Sequence, residues 1–209
     1  MSIETKPAHL RSVPGTIPLP GTGVRGTDVD LLRLNIGSGR RRLPGFLSVD
    51  NNANAGEVDV AHDLERLPWP FEASSVGELV MEHSLEHLED TIGTVRELYR
   101  ICADGAKIEI RVPHLSCAWN HPGHKRAIGV GLFDHFDPQH DERYGDCRFK
   151  VESVRLRWMQ ERYQTNILKR AASGLISFFA NLNVRFCQRV WCYWVGGFEE
   201  IEFIVRVQK

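Results

Sequence analysis

LNIGSGRRRLPGFLSVD, residues 34–50, decides the fold class. A short apolar run ends in the turn Gly37–Ser38–Gly39, and a second, Phe46 to Asp50, ends in a carboxylate. Short apolar runs that stop at glycine or acid are the pattern of buried parallel strands feeding loops. Glycine at such a turn lets a ligand come close to backbone N–H groups, because no Cβ stands in the way. Spacing excludes a dinucleotide fingerprint. That fingerprint wants a third glycine where Arg42 stands, and a ribose acid about 20 residues on, whereas Asp50 follows Gly39 by 11. Only the nine residues Gly37 to Gly45 separate the runs, too few for a usual crossover helix. What remains is a turn for a small ligand and a carboxylate placed to take a ribose diol.

Working outward, the runs Leu31–Ile36, Phe46–Asp50, Glu57–His62, Glu78–His83 and Lys107–Val112 read as five strands. Leu85, Leu88, Ile92, Val95, Leu98 and Tyr99 fall at helical spacing and predict one helix over Leu85–Cys102 facing a sheet. Alternation of strands and helix implies an α/β layer fold with ligand chemistry at the carboxyl ends of the strands. Gly37, Asp50, Asp63, His83 and His114 collect at those ends. Residues 114–147 read as a long loop region rich in His, Asp, Pro and Gly, and loops of that length in a domain are usually functional. After Phe149 come a strand-like run, an amphipathic helical stretch and a final alternating strand carrying Ile201, Phe203, Val205 and Val207 on one face. These complete the same sheet, since a separate unit of about 60 residues would bury little core. The expected organisation is a flexible or extended arm over 1–29, with prolines at 7, 14, 18 and 20, and one domain over 30–209.

Composition narrows the function classes. The 209 residues carry 26 basic and 27 acidic side chains, a net charge of -1, which offers no global attraction for nucleic acid. Five cysteines form no CxxC pair and are odd in number, so neither a disulfide framework nor a zinc ribbon is expected. The expected compartment is the reducing cytoplasm. No run of about 18 apolar residues is long enough to span a bilayer.

Taken in order, LNIGSG (34–39), SVD (48–50), HDLERLPWPF (62–71), LVMEHSLEHL (79–88) and ICADGAKIEIRVPH (101–114) resemble class I S-adenosylmethionine-dependent methyltransferases. The likeness is strongest to small ones encoded with bacterial surface-polysaccharide enzymes, over about residues 31–126, and FCQRVW and EIEFIVRV extend it more weakly. The resemblance implies a single Rossmann-like α/β domain whose seven-stranded sheet is mostly parallel with an antiparallel C-terminal strand. It implies S-adenosylmethionine as cofactor and methyl transfer to a small molecule or glycan, at oxygen. It places Asn35, Gly37, Ser38 and Gly39 at the methionine end, Asp50 on the ribose, Asp63 and Leu64 at the adenine edge, and His83 beside the methyl group. Asn35 stands where the family often has an acid, Ser38 where it has Cys or Gly, and ADGAKIEI replaces the frequent Pro-Gly-Gly turn. A nucleoside-binding module without catalysis is the alternative.

Residues 83–87 also spell HxxEH, a zinc-protease motif in which two histidines share a helix face. The motif follows an apolar strand, which puts His83 at a strand end, outside such a helix. The spacing of His114, His121, His124, His135 and His140 matches no zinc pattern, and no metal is expected. In-line displacement at a sulfonium asks the enzyme to align two reactants and, for a hydroxyl acceptor, to remove a proton. His114 and His124 are the candidate bases. His121 and Arg126 of HPGHKR, a segment similar to one on the family's acceptor side, are candidate acceptor contacts.

Near the C-terminus Ile167, Leu168, Ala171, Ala172, Leu175, Ile176 and Phe179 form a helical stripe, preceded by a basic stretch and followed by WCYW at 191–194. Such a stripe is expected to pack on the sheet. The same composition suits contact with a membrane surface or a lipid-linked glycan at the inner face of the membrane.

Overall fold

Apolar residues at every second position and glycine or acid at the ends draw seven strands into one sheet. The computed structural model describes residues 31–51, 58–137, 139–194 and 196–209; the expected arm over 1–29 lies outside them. The strands are β1 (Leu32–Ile36), β2 (Leu47–Asp50), β3 (Val60–Ala61), β4 (Val76–Glu82), β5 (Cys102–Pro113), β6 (Phe149–Arg157) and β7 (Glu200–Val207). Their order is β3-β2-β1-β4-β5-β7-β6. The pairs from β3 through β5 are parallel, and β7 runs antiparallel to both β5 and β6. The chain steps outward from β1 to β2 and β3, then returns to lay β4 on the other side of β1. The carboxyl ends of β1 and β4 therefore flank a topological switch point, where open α/β sheets bind ligands.

One face of the sheet is apolar: Leu34, Ile36, Leu79, Met81, Ile108, Ile110, Phe203 and Val205 are fully buried, and Val95, Leu98 and Ile101 of the helix α1 (Thr91–Ile101) are buried with them. Alternation puts Lys107, Glu109 and Arg111 on the opposite side of β5 from Ile108 and Ile110. There Arg111 meets Glu82 at 3.1 Å, Glu109 at 2.7 Å and Glu202 at 3.0 Å, and Arg157 meets Glu202 at 2.7 Å. The strands are thus not apolar on both sides, as buried parallel strands usually are.

Four expectations are corrected. The helix expected over Leu85–Cys102 is two pieces, a 3-10 turn at Leu85–His87 and α1. Leu88 is extended, and the Asp90 side chain accepts the Gly93 N–H at 2.8 Å, so capping starts the helix at Thr91. The third run shrinks to Val60–Ala61, its Glu57 lying outside the described residues. The 114–147 region is anchored: α2 (Leu115–Ala118) and a 3-10 turn at Leu132–Phe136 interrupt it, with the Phe133 ring 5.2 Å from Phe149 and 5.5 Å from Phe203. Finally, the stripe on α3 (Ile167–Leu182) does not pack on the sheet. Ile167 is 81% exposed, and Leu168, Leu175 and Phe179 are exposed as well. Ser173 and Ala180 are the buried residues of this helix, and Asn181 ties it to β6 through the N–H and C=O of Leu156, both at 2.8 Å.

Candidate cofactor and acceptor site

The glycine turn is clasped to β2. Gly37 and Ser38 both donate their N–H to Val49 O, at 2.8 and 3.2 Å, and Gly39 donates to Asp50 Oδ2 at 2.8 Å. Asn35, almost wholly buried, donates its amide to Arg41 O at 2.8 Å. These backbone N–H groups and the Asn35 amide therefore shape the turn, where the sequence suggested that they face a ligand. Asp50 stands beside the turn at the carboxyl end of β2, and each carboxylate oxygen accepts more than one hydrogen bond. Gly37 adopts φ +65°, and a Cβ there would come within 2.0 Å of Ser84 Oγ and 3.7 Å of Leu64 Cδ1. Ser38 Oγ is buried without a protein partner. The glycine turn, the orphaned Ser38 hydroxyl, Leu64 and Asp50 thus gather at the carboxyl ends of β1 and β2. Asp63 is engaged locally: it accepts the Glu65 N–H at 3.1 Å and pairs with Arg66 at 3.4 Å.

At the end of β4, His83 is held at φ +48° by its N–H to Arg111 O at 2.8 Å. Its Nε2 lies 3.0 Å from Glu200 Oε2 and its Nδ1 3.5 Å from Glu86 Oε1. The bond to Glu200, then the one to Glu86, raises its pKa to about 9 against the opposing effect of burial, so it is an imidazolium at neutral pH. Glu200 is shared with Arg157, whose Nε lies 3.3 Å from Oε1, so the two carboxylates around His83 are matched by two cations.

Loop 119–126 docks on the turn after β4: Lys125 and Arg126 donate backbone N–H groups to Glu86 O at 2.8 and 3.3 Å. This brings His121 and His124 against His87, with ring centroids 5.6 and 4.8 Å from it. Arg126 donates to Glu89 O at 3.0 Å and lines a cleft of about 660 Å³ with Asp90, Ile128, His135 and Tyr144. A second cleft, about 690 Å³, lies between β6 and α3; neither of the two includes the glycine turn.

The two candidate bases sit at opposite ends of α2: His114 caps its start, and His124 Nδ1 is 2.5 Å from Ala118 O at its end. His114 is fully buried, its Nδ1 taking the Ser116 N–H at 3.2 Å to cap α2, and burial pushes its pKa down to about 4. Its imidazole is closed off from the surface in this structure, with Nε2 buried and without a hydrogen-bond partner. His124 is half-buried in the loop docked on the turn after β4. The HxxEH histidines also part, because His83 ends β4 while His87 closes the 3-10 turn, and no helix face carries both. Sequence reasoning passed over Glu200, and it met Ser84 and Glu86 only within the HxxEH segment. Glu200 alternates with Ile201 in the final strand, a signal for an inward-facing polar side, but its pairing with His83 spans 117 positions.

No family model matches the chain, and no curated protein does. Solved structures do. The YcgJ protein from Bacillus subtilis is 14% identical, superposes with a TM-score of 0.53, and the match covers 86% of this chain and 92% of that one. A protein described as a sarcosine dimethylglycine methyltransferase from Galdieria sulphuraria is 13% identical at 0.52, covering 84% and 78%. The chain has the Rossmann-like methyltransferase fold. The [4+2]-cyclase SpnF, 12% identical at 0.53 over 87% of this chain and 77% of its own, has it too. The methyltransferase fold therefore carries more than one chemistry, and function rests on the site.

Proposed function

We propose that this protein is an S-adenosylmethionine-dependent methyltransferase acting on a hydroxyl of a small molecule or glycan. The observation that carries this reading is the clasped glycine turn beside Asp50 at the β1/β4 switch point, with the Ser38 hydroxyl buried and unpartnered. The cofactor, when bound, supplies an electrophilic methyl group on a sulfonium. Asp50 would hold the ribose hydroxyls, Ser38 a polar group of the aminoacyl end, and Leu64 the adenine. His83 is itself protonated and cannot take the acceptor's proton. Loop 119–126, with His121, His124 and Arg126, would form the acceptor side. A surface glycan or its lipid-linked precursor is the acceptor class that the sequence resemblance favours.

Ligand titration tests this reading. S-adenosylhomocysteine at 100 times its dissociation constant should stabilise the fold by about 2.7 kcal/mol, and NAD should not, for want of the third glycine. Asp50→Ala should weaken binding by roughly 1.5–3 kcal/mol. Absence of any shift with either sulfur ligand would remove the assignment. Binding without methyl transfer to any hydroxyl acceptor would move the protein to the non-catalytic alternative.

A further inference from the structure

We propose that His87, His121 and His124 form a binding site for one divalent transition-metal ion. One nitrogen from each lies within 4.8 Å of the others. The backbone fixes two of the tautomers. His87 Nδ1 is 2.9 Å from Gly123 O and His124 Nδ1 2.5 Å from Ala118 O. A carbonyl only accepts, so both Nδ1 atoms carry a proton, and in the neutral ring the lone pair is on Nε2. Metal-ligating histidines are commonly oriented this way, by donating the second ring N–H to a carbonyl. His121 stacks on His124 at 4.6 Å, and its Nδ1 takes the Gly123 N–H at 3.1 Å. It is exposed and can give up that bond to become the third ligand.

Glu86 lies beside the cluster. Its carboxylate is 1% exposed, with Oε1 3.5 Å from His83 Nδ1 and 3.9 Å from His124 Nε2. Three imidazoles with an adjacent carboxylate suit zinc and its neighbours rather than calcium or magnesium. The ion would tie loop 119–126 to the turn after β4, joining the acceptor side to the cofactor side. Ligation would also occupy the His124 lone pair, excluding it as a base.

The test is cobalt(II) titration of the purified chain after chelation. One equivalent should produce the visible absorption of a four-coordinate complex, and zinc should displace it. His87→Ala and the surface change His121→Ala should each weaken binding by more than the roughly 10- to 100-fold that loss of an outer-shell partner costs. His140→Ala, outside the cluster, should leave binding unchanged. No complex at one equivalent, or one indifferent to His121→Ala, overturns the site. The readout needs no methyl donor, so its failure is separate from failure of the methyltransferase reading.

A different region carries a second inference: α3 and the helical pieces Val184–Phe186, Cys187–Trp191 and Cys192–Trp194 rest on an anionic lipid surface. Leu168, Phe178, Leu182, Phe186, Tyr193 and Trp194 are all exposed, Trp194 by 85%. Large apolar side chains left exposed in such number on consecutive helical pieces point to an interaction surface. No carboxylate occurs between 162 and 198, while Arg162, Lys169, Arg170, Arg185 and Arg189 do, in a chain of net charge -1. Asp134 pairs with Arg185, at 2.6 and 2.7 Å. A second copy is the poorer occupant, because a twofold contact through this face would set like charges together. An anionic bilayer takes both the cations and the aromatic rings, and no helix among the described residues is long and apolar enough to cross it.

Co-sedimentation with phosphatidylcholine vesicles, with and without phosphatidylglycerol, tests this. Binding should require the anionic lipid, weaken with salt, and fall about tenfold or more in Phe178→Ser/Trp194→Ser, whose unchanged melting temperature would show an intact fold. Equal binding to neutral vesicles, or no vesicle binding together with a dimer in sedimentation that this double variant abolishes, overturns it.

Discussion

His83 and His114 are the same residue type driven in opposite directions by their surroundings. Glu200 and Glu86 raise His83 to about 9, above its ordinary 6.5, so its contribution to stability is complete below pH 6.5 and is lost as pH rises through about 9. Burial lowers His114 to about 4, so its neutral packed form is lost as pH falls from 6.5 through about 4. Melting temperature followed from pH 4 to 10 should therefore show two declines. His83→Gln should remove the alkaline one, and a curve in that variant still matching the wild type above pH 7 would refute the pairing. Gly37 is the other residue-scale test. Gly37→Ala meets both a positive φ and the Ser84 hydroxyl. The backbone strain alone costs about 1–2 kcal/mol, and Ser84→Gly should relieve only the collision. Denaturant unfolding of the single and double variants separates the two terms.

Among the elements, α1 and α3 show what periodicity can and cannot convey. Apolar spacing from Leu85 to Tyr99 runs straight through Leu88–Asp90, because a 3-10 turn followed by a capped helix keeps the same side chains inward. Asp90→Ala should cost about 1 kcal/mol, the usual worth of an N-cap, measured as a lower denaturant midpoint with unchanged slope. In α3 the apolar stripe was legible as a stripe, but not the partner it faces. Ser173, Ala180 and Asn181 are what the helix turns to β6, since small residues and one amide allow close approach where the larger side chains do not.

For the whole molecule, β1, β4, β5 and β7 were legible because glycine, acid and alternation are properties of neighbours in sequence. The GxG turn with Asp50 was legible for the same reason, and its spacing carried the expectation of a small nucleoside ligand over a dinucleotide. Local order also settled the start of α1, in retrospect, through Asp90. Only the tertiary structure decided the rest. His83 finds Glu200 across 117 positions, His87 finds His121 and His124 through a loop docked on Glu86, and His114 is sealed where the sequence suggested an open site. Burial, pairing and protonation are set by what lies beside a side chain in space. A histidine in the sequence announces only that a proton or a metal can be held there, and the fold determines which.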